Sequence, residues 1–351
     1  MNTTLLIHDA VQVPGAPSIP GLVFRPYRGE IDLPFMLEVI NGCKEEDGLE
    51  RSDNIQSITN NYRHLERCDP FTDMLMAEVD GRLIAYTRVF WNRQEDGVLT
   101  YVTFGFLLPE WRRRGLGTCM LQWTEDRLHQ IAAGHDASVQ RYFQSEVEDT
   151  QKSATALLVK AGYQPARYEF MMKRLTSDPL PQAPMPPGLE VRPFREEHMH
   201  AIWSAMTEAF QDHWGSVPES EEKFDSWREE PTFMPQLWKV AWAGDQVAGM
   251  VLNFFNQEEN DEYKRLRGYT EGISVRRPWR KQGLARSLIV QSILMFKDMG
   301  MTETCLGVDS QNLSGALRLY QGVGYRQFRQ MTLYRKPLDQ PGEEGQVKRL
   351  Q

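Results

Sequence analysis

The stretch EGISVRRPWRKQGLARSLIV, residues 271–290, joins a strand pattern to a helical pattern through a turn that contains glycine. Leu284, Leu288 and Ile289 recur at the spacing of one helix face, whereas EGISV is typical of a buried strand. Backbone N–H groups at a helix start lack intrahelical partners and carry partial positive charge. Glycine lets a ligand approach this backbone closely. The turn, which has the form RxxGxG/A, is therefore predicted to bind an anion such as a pyrophosphate.

The same turn occurs twice. WRRRGLG at 111–117 is repeated as WRKQGLA at 279–285, and the offset between Gly115 and Gly283 is 168 residues. Two further pairs follow the same order: GLVFRPYR with GLEVRPFR from 21 and 188, and KAGY with GVGY from 160 and 322. Three matches at nearly one offset indicate a tandem duplication of one domain.

Length and proline content suggest where the two copies meet. The chain has 351 residues, which at about 150 residues per domain favours roughly two domains. Five prolines in TSDPLPQAPMPPGL, residues 176–189, indicate a semi-rigid linker. We expect domains at 20–175 and 190–337 and a flexible tail at 338–351. Strand and helix patterns are mixed in each half, so each domain is expected to be a layered α/β structure.

Composition excludes several classes of protein. The net charge of −8 argues against a nucleic-acid binder, which needs a cationic face. Four isolated cysteines without a CxxC pair, and seven histidines without an HxxxH or HExxH group, predict no metal site. The sequence has no signal-peptide pattern and no apolar run of transmembrane length, so we expect a cytoplasmic protein without membrane contact.

These motifs resemble the GNAT superfamily of acyl-CoA-dependent N-acyltransferases. The carriers in the second half are EGISV at 271–275, RKQGLA at 280–285, Asn312 and YQGVGY at 320–325. The paired arrangement is similar to that of tandem GNAT proteins such as mycothiol synthase, in architecture rather than in substrate. The resemblance implies a mixed, mostly antiparallel sheet flanked by helices and splayed between its fourth and fifth strands. The pantetheine arm of acetyl-CoA would enter that gap.

The resemblance also implies which residues bind the coenzyme, with the pyrophosphate on the amides of the turn. In the second half these are Ile273, Val275, Arg280, Lys281, Gln282, Gly283, Leu284, Ala285 and Asn312. A second possible site in the first half comprises Arg112, Arg113, Arg114, Gly115, Leu116 and Gly117. Asn312 could instead cap the following helix, since asparagine is a good N-cap residue.

Two residues of the second half are candidates for catalysis. GNAT enzymes often place the tyrosine that protonates the CoA sulfur where Tyr320 stands, five residues before Tyr325. A phenol with a pKa of about 10 is protonated at neutral pH and can donate. Glu271, on the strand before the turn, is a candidate base that removes a proton from the acceptor amine, directly or through water. Alternatively, Tyr320 is a packed helix residue and Glu271 a solvated or ion-paired carboxylate.

The first half lacks these groups. Leu158 stands at the position of Tyr320, Thr150 at that of Asn312 and Thr103 at that of Glu271. Since the anion-binding turn is intact, the simplest hypothesis is a first domain for which CoA binding stays open and which does not catalyse a reaction. Chemistry is expected in the second domain.

The sequence indicates the acceptor-binding residues less specifically than the coenzyme-binding ones. Aromatic residues of the second half lie among acidic ones, an arrangement that suits a cationic amine but is more typical of a core with a solvated face. The aromatic residues are Trp203, Phe210, Trp214, Trp227, Phe233 and Trp238, and the acidic ones are Asp212, Glu219, Glu221, Glu222 and Asp225. We expect acetyl transfer to a small primary amine. A protein or peptide acetyltransferase and a non-catalytic CoA-binding scaffold are the alternatives, and a monomer and a homodimer fit equally.

Overall fold

A computed structural model describes residues 10–312 and 315–339, and these residues form two compact units. The first unit holds the described residues up to Leu49, Asp53–Ala166 and the described residues from Leu333 on. The second unit holds Glu50–Ser52 and Arg167–Thr332. Each unit is a mixed α/β structure, as the sequence predicts.

The first unit is built on strands β1 to β5, which are neighbours in that order. Every pair is antiparallel except β4 with β5, which is parallel. The elements are β1 Leu22–Arg25, α1 Leu33–Asp47, α2 Ile55–Arg63, β2 Met74–Val79, β3 Arg82–Arg93, β4 Leu99–Leu107, α3 Leu116–Ala132, β5 Arg141–Glu148 and α4 Lys152–Lys160.

The second unit repeats this plan, with strands in the order β6-β11-β10-β9-β8-β7. Here β10 with β11 is the parallel pair. The elements are β6 Gln164–Leu175, β7 Glu190–Arg192, α5 Met199–Phe210, α6 Glu221–Glu229, β8 Lys239–Ala243, β9 Gln246–Phe254, α7 Gln257–Glu262, β10 Arg267–Val275, α8 Leu284–Asp298, β11 Glu303–Asp309, α9 Ala316–Val323 and β12 Arg326–Pro337.

The parallel strands of each unit separate along their length. In the second unit, β10 pairs with β11 only over Arg267–Tyr269 although β10 continues to Val275. The register with β9 shifts between Glu271 and Ser274, where Gly272 has a φ of 54°. This irregularity is a β-bulge, which bends the strand away from its neighbour. In the first unit, β4 pairs with β5 only over Leu99–Val102. The predicted splay is present in both units.

Each unit takes strand residues from the other half of the sequence. The part of β6 from Arg167 on lies in the second unit and pairs antiparallel with β11, with Met171 opposite Gly307. The last residues of β12 lie in the first unit, where Lys336 Nζ is 2.8 Å from Glu125 Oε2. The domains predicted at 20–175 and 190–337 follow the repeat in the sequence, whereas the compact units cross those limits at β6 and β12.

The proline-rich segment at 176–189 packs against the second unit. Leu180, Ala183 and Met185 lie on its apolar core, beside Leu284 and Tyr320. Its residues 181–188, PQAPMPPG, match residues 14–21, PGAPSIPG, at the offset of 167 that also separates the RPYR and RPFR motifs. The segment is thus part of the repeated sequence, and burial of its apolar side chains holds it to the core.

Only the first two residues of the tail predicted at 338–351 are described, since residues 340–351 lie outside the described part of the chain. Leu338 N donates to Arg141 O at 3.0 Å. In the part of the chain that the structure describes, no helix combines the length and apolarity needed to cross a bilayer.

Candidate active site

The turn before α8 has the geometry that anion binding requires. Gly283 is the N-cap residue with a φ of 88°, and Lys281 also has a positive φ of 62°. Lys281, Gln282 and Gly283 are exposed, whereas Leu284 is buried. Because α8 begins at Leu284, the first N–H groups of the helix have no intrahelical acceptor. The turn therefore presents backbone donors to solvent at the positive end of a fifteen-residue helix.

The Arg280 side chain makes its hydrogen bonds to other residues of the protein. Its Nε donates to the carbonyl oxygen of Val275 at 2.9 Å, and its Nη1 lies 2.8 Å from Asp212 Oδ2. Asp212 also accepts from Arg277, and hydrogen bonds from the two guanidinium groups lower its pKa to about 2. Arg280 thus fixes the turn to the end of β10. Its role as a coenzyme ligand stays a prediction.

The other predicted coenzyme residues lie around the same turn. Ile273 and Val275, on the part of β10 beyond its pairing with β11, are partly buried against the core of the second unit. Ala285 is partly buried in the first turn of α8, and Gln282 Nε2 donates to Pro278 O at 3.1 Å. This places apolar side chains along the gap and exposed donors at its end.

Asn312 lies in the turn between β11 and α9. The N-cap residue of α9 is Gly315, so Asn312 is not the N-cap residue. The Asn312 backbone carbonyl accepts from Gly315 N at 3.3 Å. Of its two sequence-based interpretations, contact with the coenzyme stays a prediction.

Glu271 lies on β10 at the point where the strands separate. Its Oε1 accepts a hydrogen bond from the backbone N–H of Gly307 on β11 at 2.8 Å. Burial raises the pKa of Glu271 to about 8; the charge of Glu169 adds to this rise and the Gly307 hydrogen bond opposes it. A carboxyl group with a pKa near neutrality can both accept and release a proton at physiological pH.

Tyr320 lies on α9 and is 6% exposed. Within residues 10–312 and 315–339 its hydroxyl makes no hydrogen bond. Burial, and then the charge of Glu271, raise its pKa above the usual value, so the hydroxyl is protonated at neutral pH. The phenol is therefore a proton donor close enough to Glu271 to be affected by its charge.

Two buried groups hold α9 in place. The Tyr325 hydroxyl, just after the helix, is 3.0 Å from Thr270 Oγ1 and 2.8 Å from Thr304 Oγ1. Arg174 Nη1 donates to the carbonyl oxygen of Val323, the last residue of α9. Sequence reasoning missed Arg174 and Glu169, because β6 precedes the second copy of the repeat and no local signal links it to α9.

The first unit repeats the turn but not the two candidate catalytic side chains. Arg112 Nε donates to Leu107 O at 3.0 Å and its Nη atoms bind Asp47, as Arg280 binds Val275 and Asp212 in the other copy. Gly115 is again the N-cap residue, with a φ of 90°. Buried Leu158 occupies the place of Tyr320, and Thr103 Oγ1 donates to Thr124 Oγ1 at 3.1 Å.

The first turn is also more closely packed. A Cβ at Gly115 would lie 3.6 Å from Pro17 Cβ, and one at Gly117 would lie 3.3 Å from Leu157 Cδ2. No atom of the described residues lies within 4 Å of a Cβ built on Gly283. The turn of the second unit is thus the more open of the two. Three further residues were predicted to bind the coenzyme at the first turn. Arg113 has a φ of 59°, the Arg114 guanidinium lies over the Trp111 ring, and Leu116 is buried.

Most of the aromatic residues considered for acceptor binding form a core. Trp227 stacks on Trp238 at 5.2 Å, and Trp203 and Phe233 pack against the same cluster. Trp214 is exposed and lies 5.1 Å from the Arg167 guanidinium. Four of the six aromatic residues are thus core residues, namely Trp203, Trp227, Phe233 and Trp238. In the described part of the chain no three histidine, cysteine or acidic residues are arranged to hold a metal ion.

Comparison with known proteins identifies the family of this chain. The sequence profile of the family described as "Acetyltransferase (GNAT) family" matches residues 34–163 and 199–325. A mycothiol acetyltransferase of Geodermatophilus obscurus is 27% identical over 258 residues, 72% of this chain and 78% of that protein. A mycothiol acetyltransferase of Salinispora arenicola is 26% identical over 223 residues, 63% of this chain and 68% of that protein.

Solved structures have the same two-part architecture. A GCN5-related N-acetyltransferase from Sphaerobacter thermophilus aligns with a TM-score of 0.67 and 26% identity, over 92% of this chain and 96% of that chain. A tandem GNAT protein from the clavulanic acid biosynthesis pathway aligns with a TM-score of 0.63 and 13% identity, over 91% of this chain and 99% of that chain. At that lower identity the second likeness shows the fold alone.

Proposed function

This chain belongs to the GNAT acetyltransferase family and is an acyl-CoA-dependent N-acyltransferase, and from this premise we propose that it acetylates a small-molecule primary amine. The donor is acetyl-CoA and the chemistry takes place in the second unit. The observation that carries the proposal is that Glu271 and Tyr320 lie beside the separated strands of this unit, whereas Thr103 and Leu158 replace them in the first.

The residues around the gap suit an acyl-CoA. The exposed N–H groups after Gly283 would bind the pyrophosphate, with Lys281 adding positive charge. Ile273 and Val275 would contact the pantetheine arm. Since the Tyr320 hydroxyl has no protein partner among the described residues, it is available to a ligand atom at the end of the gap. A coenzyme is thus held by its anionic end and directed toward the two candidate catalytic groups.

Glu271 prepares the nucleophile. An aliphatic amine has a pKa of about 10 and reaches the site as an ammonium ion without a free lone pair. The Glu271 carboxylate accepts one proton from the ammonium nitrogen and leaves a neutral amine. That nitrogen forms a bond to the thioester carbonyl carbon.

Tyr320 completes the transfer. The carbon–sulfur bond breaks as the tetrahedral intermediate collapses, and the leaving thiolate takes the phenolic proton. The amide nitrogen then loses its second excess proton, so that one ammonium ion and one thioester give one amide, one thiol and one proton. The phenolate returns to its neutral form by taking up this second proton of the nitrogen, and Glu271 releases the first proton to solvent as the one proton of the balance.

The small-molecule acceptor is supported by the relatives. The two relatives above are both described as mycothiol acetyltransferases, a name that specifies a small molecule as the acceptor. The identity of 26–27% leaves the individual compound open for this chain. We therefore propose the class of acceptor, a primary amine, and no single compound.

The test is thiol release from acetyl-CoA in the presence of a panel of primary amines and of short peptides. We expect release with at least one small amine, and a loss of turnover of about 10²-fold or more in Tyr320→Phe at an unchanged KM for acetyl-CoA. Leu158→Met, the matched change in the first unit, should retain full turnover. Acetylation of peptides alone would reject the small-molecule acceptor, and full activity of Tyr320→Phe would reject its catalytic role.

A further inference from the structure

We propose that Glu169 on β6 binds the ammonium group of the acceptor together with Glu271, so that the first half of the sequence supplies a substrate-binding residue to the second unit. This inference rests on the function proposed above. It adds a residue that binds the acceptor, and the motifs of the turn and of α9 identify no such residue.

The two carboxylates flank one residue, Gly307 on β11. Gly307 N–H donates to Glu271 Oε1 at 2.8 Å. A Cβ placed on Gly307 would lie 2.8 Å from Glu169 Oε1 and 3.7 Å from Glu271 Oε1. Both carboxylates thus reach the space above Gly307, and the absence of a side chain there is what gives them room.

The strand register places Glu169 on this face. Glu169 is opposite Asp309, and Met171 is opposite Gly307, in the antiparallel pairing of β6 with β11. Directly paired residues of antiparallel strands point to the same face of a sheet. Glu169, Gly307 and Asp309 therefore share one face, and Arg167 binds Asp309 at 2.7 Å.

A second observation points to a ligand at this place. The Tyr320 side chain is more than nine-tenths buried, and its hydroxyl has no hydrogen-bond partner among residues 10–312 and 315–339. The charge of Glu271 acts on this phenol. A hydroxyl without a partner on a largely buried side chain can complete its hydrogen bond with a ligand atom or water. A polar ligand atom bound beside Glu271 would therefore have this phenol as a further hydrogen-bond partner.

The charges around Glu271 favour a cation. Glu169 faces it from β6, Cys305 from β11 and Tyr320 from α9, and each is anionic or neutral. Two neighbouring carboxylates repel each other when both are ionised. A primary ammonium offers three N–H donors and one positive charge, enough to bind both carboxylates at once. A neutral hydroxyl group offers one donor and no charge, so this pair selects amines over alcohols.

The two carboxylates have different parts in the reaction. Glu271, which is fixed by Gly307 N–H, takes the proton from the ammonium nitrogen as described above. Glu169 retains its hydrogen bond to a second N–H and keeps the lone pair directed at the thioester. Glu169 is thus a binding and positioning residue, and it keeps Glu271 basic through its negative charge.

The test compares wild type, Glu169→Gln and Glu169→Asp in thiol-release kinetics over pH, with the amine that the panel identifies. In Glu169→Gln we expect the KM for the amine to rise by about tenfold or more at an unchanged KM for acetyl-CoA. The acid limb of the rate profile should move to lower pH, because a neighbouring negative charge is lost. Glu169→Asp should recover part of both effects. Asp245→Asn, at the exposed turn between β8 and β9, is the matched control.

The outcomes separate this inference from the proposed function. An active wild type whose Glu169→Gln variant keeps both the amine KM and the pH profile would overturn the inference and leave the function standing. A wild type that releases no thiol with any amine would overturn the function first. If Glu169→Gln does not fold, Gly307→Ala fills the same space, and an unchanged amine KM in that variant would also reject the inference.

Discussion

Arg174 Nη1 donates a hydrogen bond of 2.6 Å to the carbonyl oxygen of Val323 at the end of α9. The same guanidinium donates through Nη2 to Asp178 O at 2.8 Å, and the residue is 3% exposed. A buried arginine without a carboxylate among these partners serves here to satisfy backbone carbonyls, which would otherwise be buried without donors. It thereby joins β6, the proline-rich segment and the helix that carries Tyr320.

Replacement of Arg174 should lower both stability and turnover. In Arg174→Met the carbonyl oxygens of Val323 and Asp178 lose their donor, at a cost of about 2 kcal/mol in the free energy of unfolding. Turnover should fall further than the KM for acetyl-CoA rises, because α9 and Tyr320 lose their fixed position. Urea denaturation and steady-state kinetics measure the two effects.

Arg326→Met is the control for that variant. Arg326 is exposed and donates to carbonyl oxygens of the same region, those of Gln321 and Tyr325. Its loss should change the free energy of unfolding by less than about 0.5 kcal/mol, since water can replace an exposed donor. Equal effects of the two substitutions would contradict a special role for Arg174.

The rate should depend on pH through Glu271. The base works in its deprotonated form and burial raises its pKa to about 8, so kcat/KM for the amine should rise as pH increases through 8. In Glu271→Gln this limb should vanish, and the remaining rate should follow deprotonation of the amine itself. A limb near pH 8 that persists in Glu271→Gln would assign it to another group.

The same pKa affects stability. The carboxyl of Glu271 titrates higher in the folded protein than its ordinary value, so the folded state holds the proton more tightly. Stability should therefore fall as pH rises from the ordinary carboxyl range through 8. Glu271→Gln, which cannot ionise, should lose less stability than wild type over that interval when thermal unfolding is followed at several pH values.

One acetyl-CoA should bind per chain. In the first unit a Cβ at Gly115 would lie 3.6 Å from Pro17 and one at Gly117 would lie 3.3 Å from Leu157, so we expect less room for a pyrophosphate at that turn. Around Gly283, residues 10–312 and 315–339 place no atom within 4 Å of a built Cβ. Isothermal titration calorimetry should give a stoichiometry of one, and a value of two would show that both turns bind.

Alanine at each glycine provides a matched pair of variants. Both glycines have a φ near 90°, so Gly283→Ala and Gly115→Ala should cost a similar amount of stability, about 1 kcal/mol. The KM for acetyl-CoA should rise in Gly283→Ala and remain at the wild-type value in Gly115→Ala. A rise in both would place coenzyme at both turns.

A fragment of residues 176–351 should not fold alone. It lacks the β6 residues that pair with β11 and the fully buried Met172 of the second unit's core. An unpaired central strand exposes its backbone groups and apolar side chains. Circular dichroism on heating should show no cooperative transition, whereas co-expression with residues 1–175 should restore one. A folded and active fragment would contradict the assignment of β6 to the second unit.

The sequence predicts what depends on local spacing. The turn at Gly283 and its copy at Gly115 were found because glycine, a basic flank and a helical pattern occur within a few residues. Both glycines have positive φ values, and the separation of the parallel strands that the family resemblance implies was confirmed.

The sequence does not predict contacts between residues that are far apart in the chain. Neither the binding of Asp212 to Arg280 nor the position of Glu169 beside Gly307 has a local signal, because the partners are 68 and 138 residues apart. The aromatic residues near Trp227 were open to two interpretations for the same reason, since only packing distinguishes a core from a binding surface.

Each unit contains strand residues from the other half of the sequence, and this has an evolutionary consequence. After an ordinary tandem duplication, an idle copy can be deleted and the other left intact. Here removal of the first copy would also remove β6, and with it the edge on which β11 forms its antiparallel ladder. Natural selection on the second copy would thus preserve the first as well, and the lineage could not return to a single-domain ancestor by one deletion.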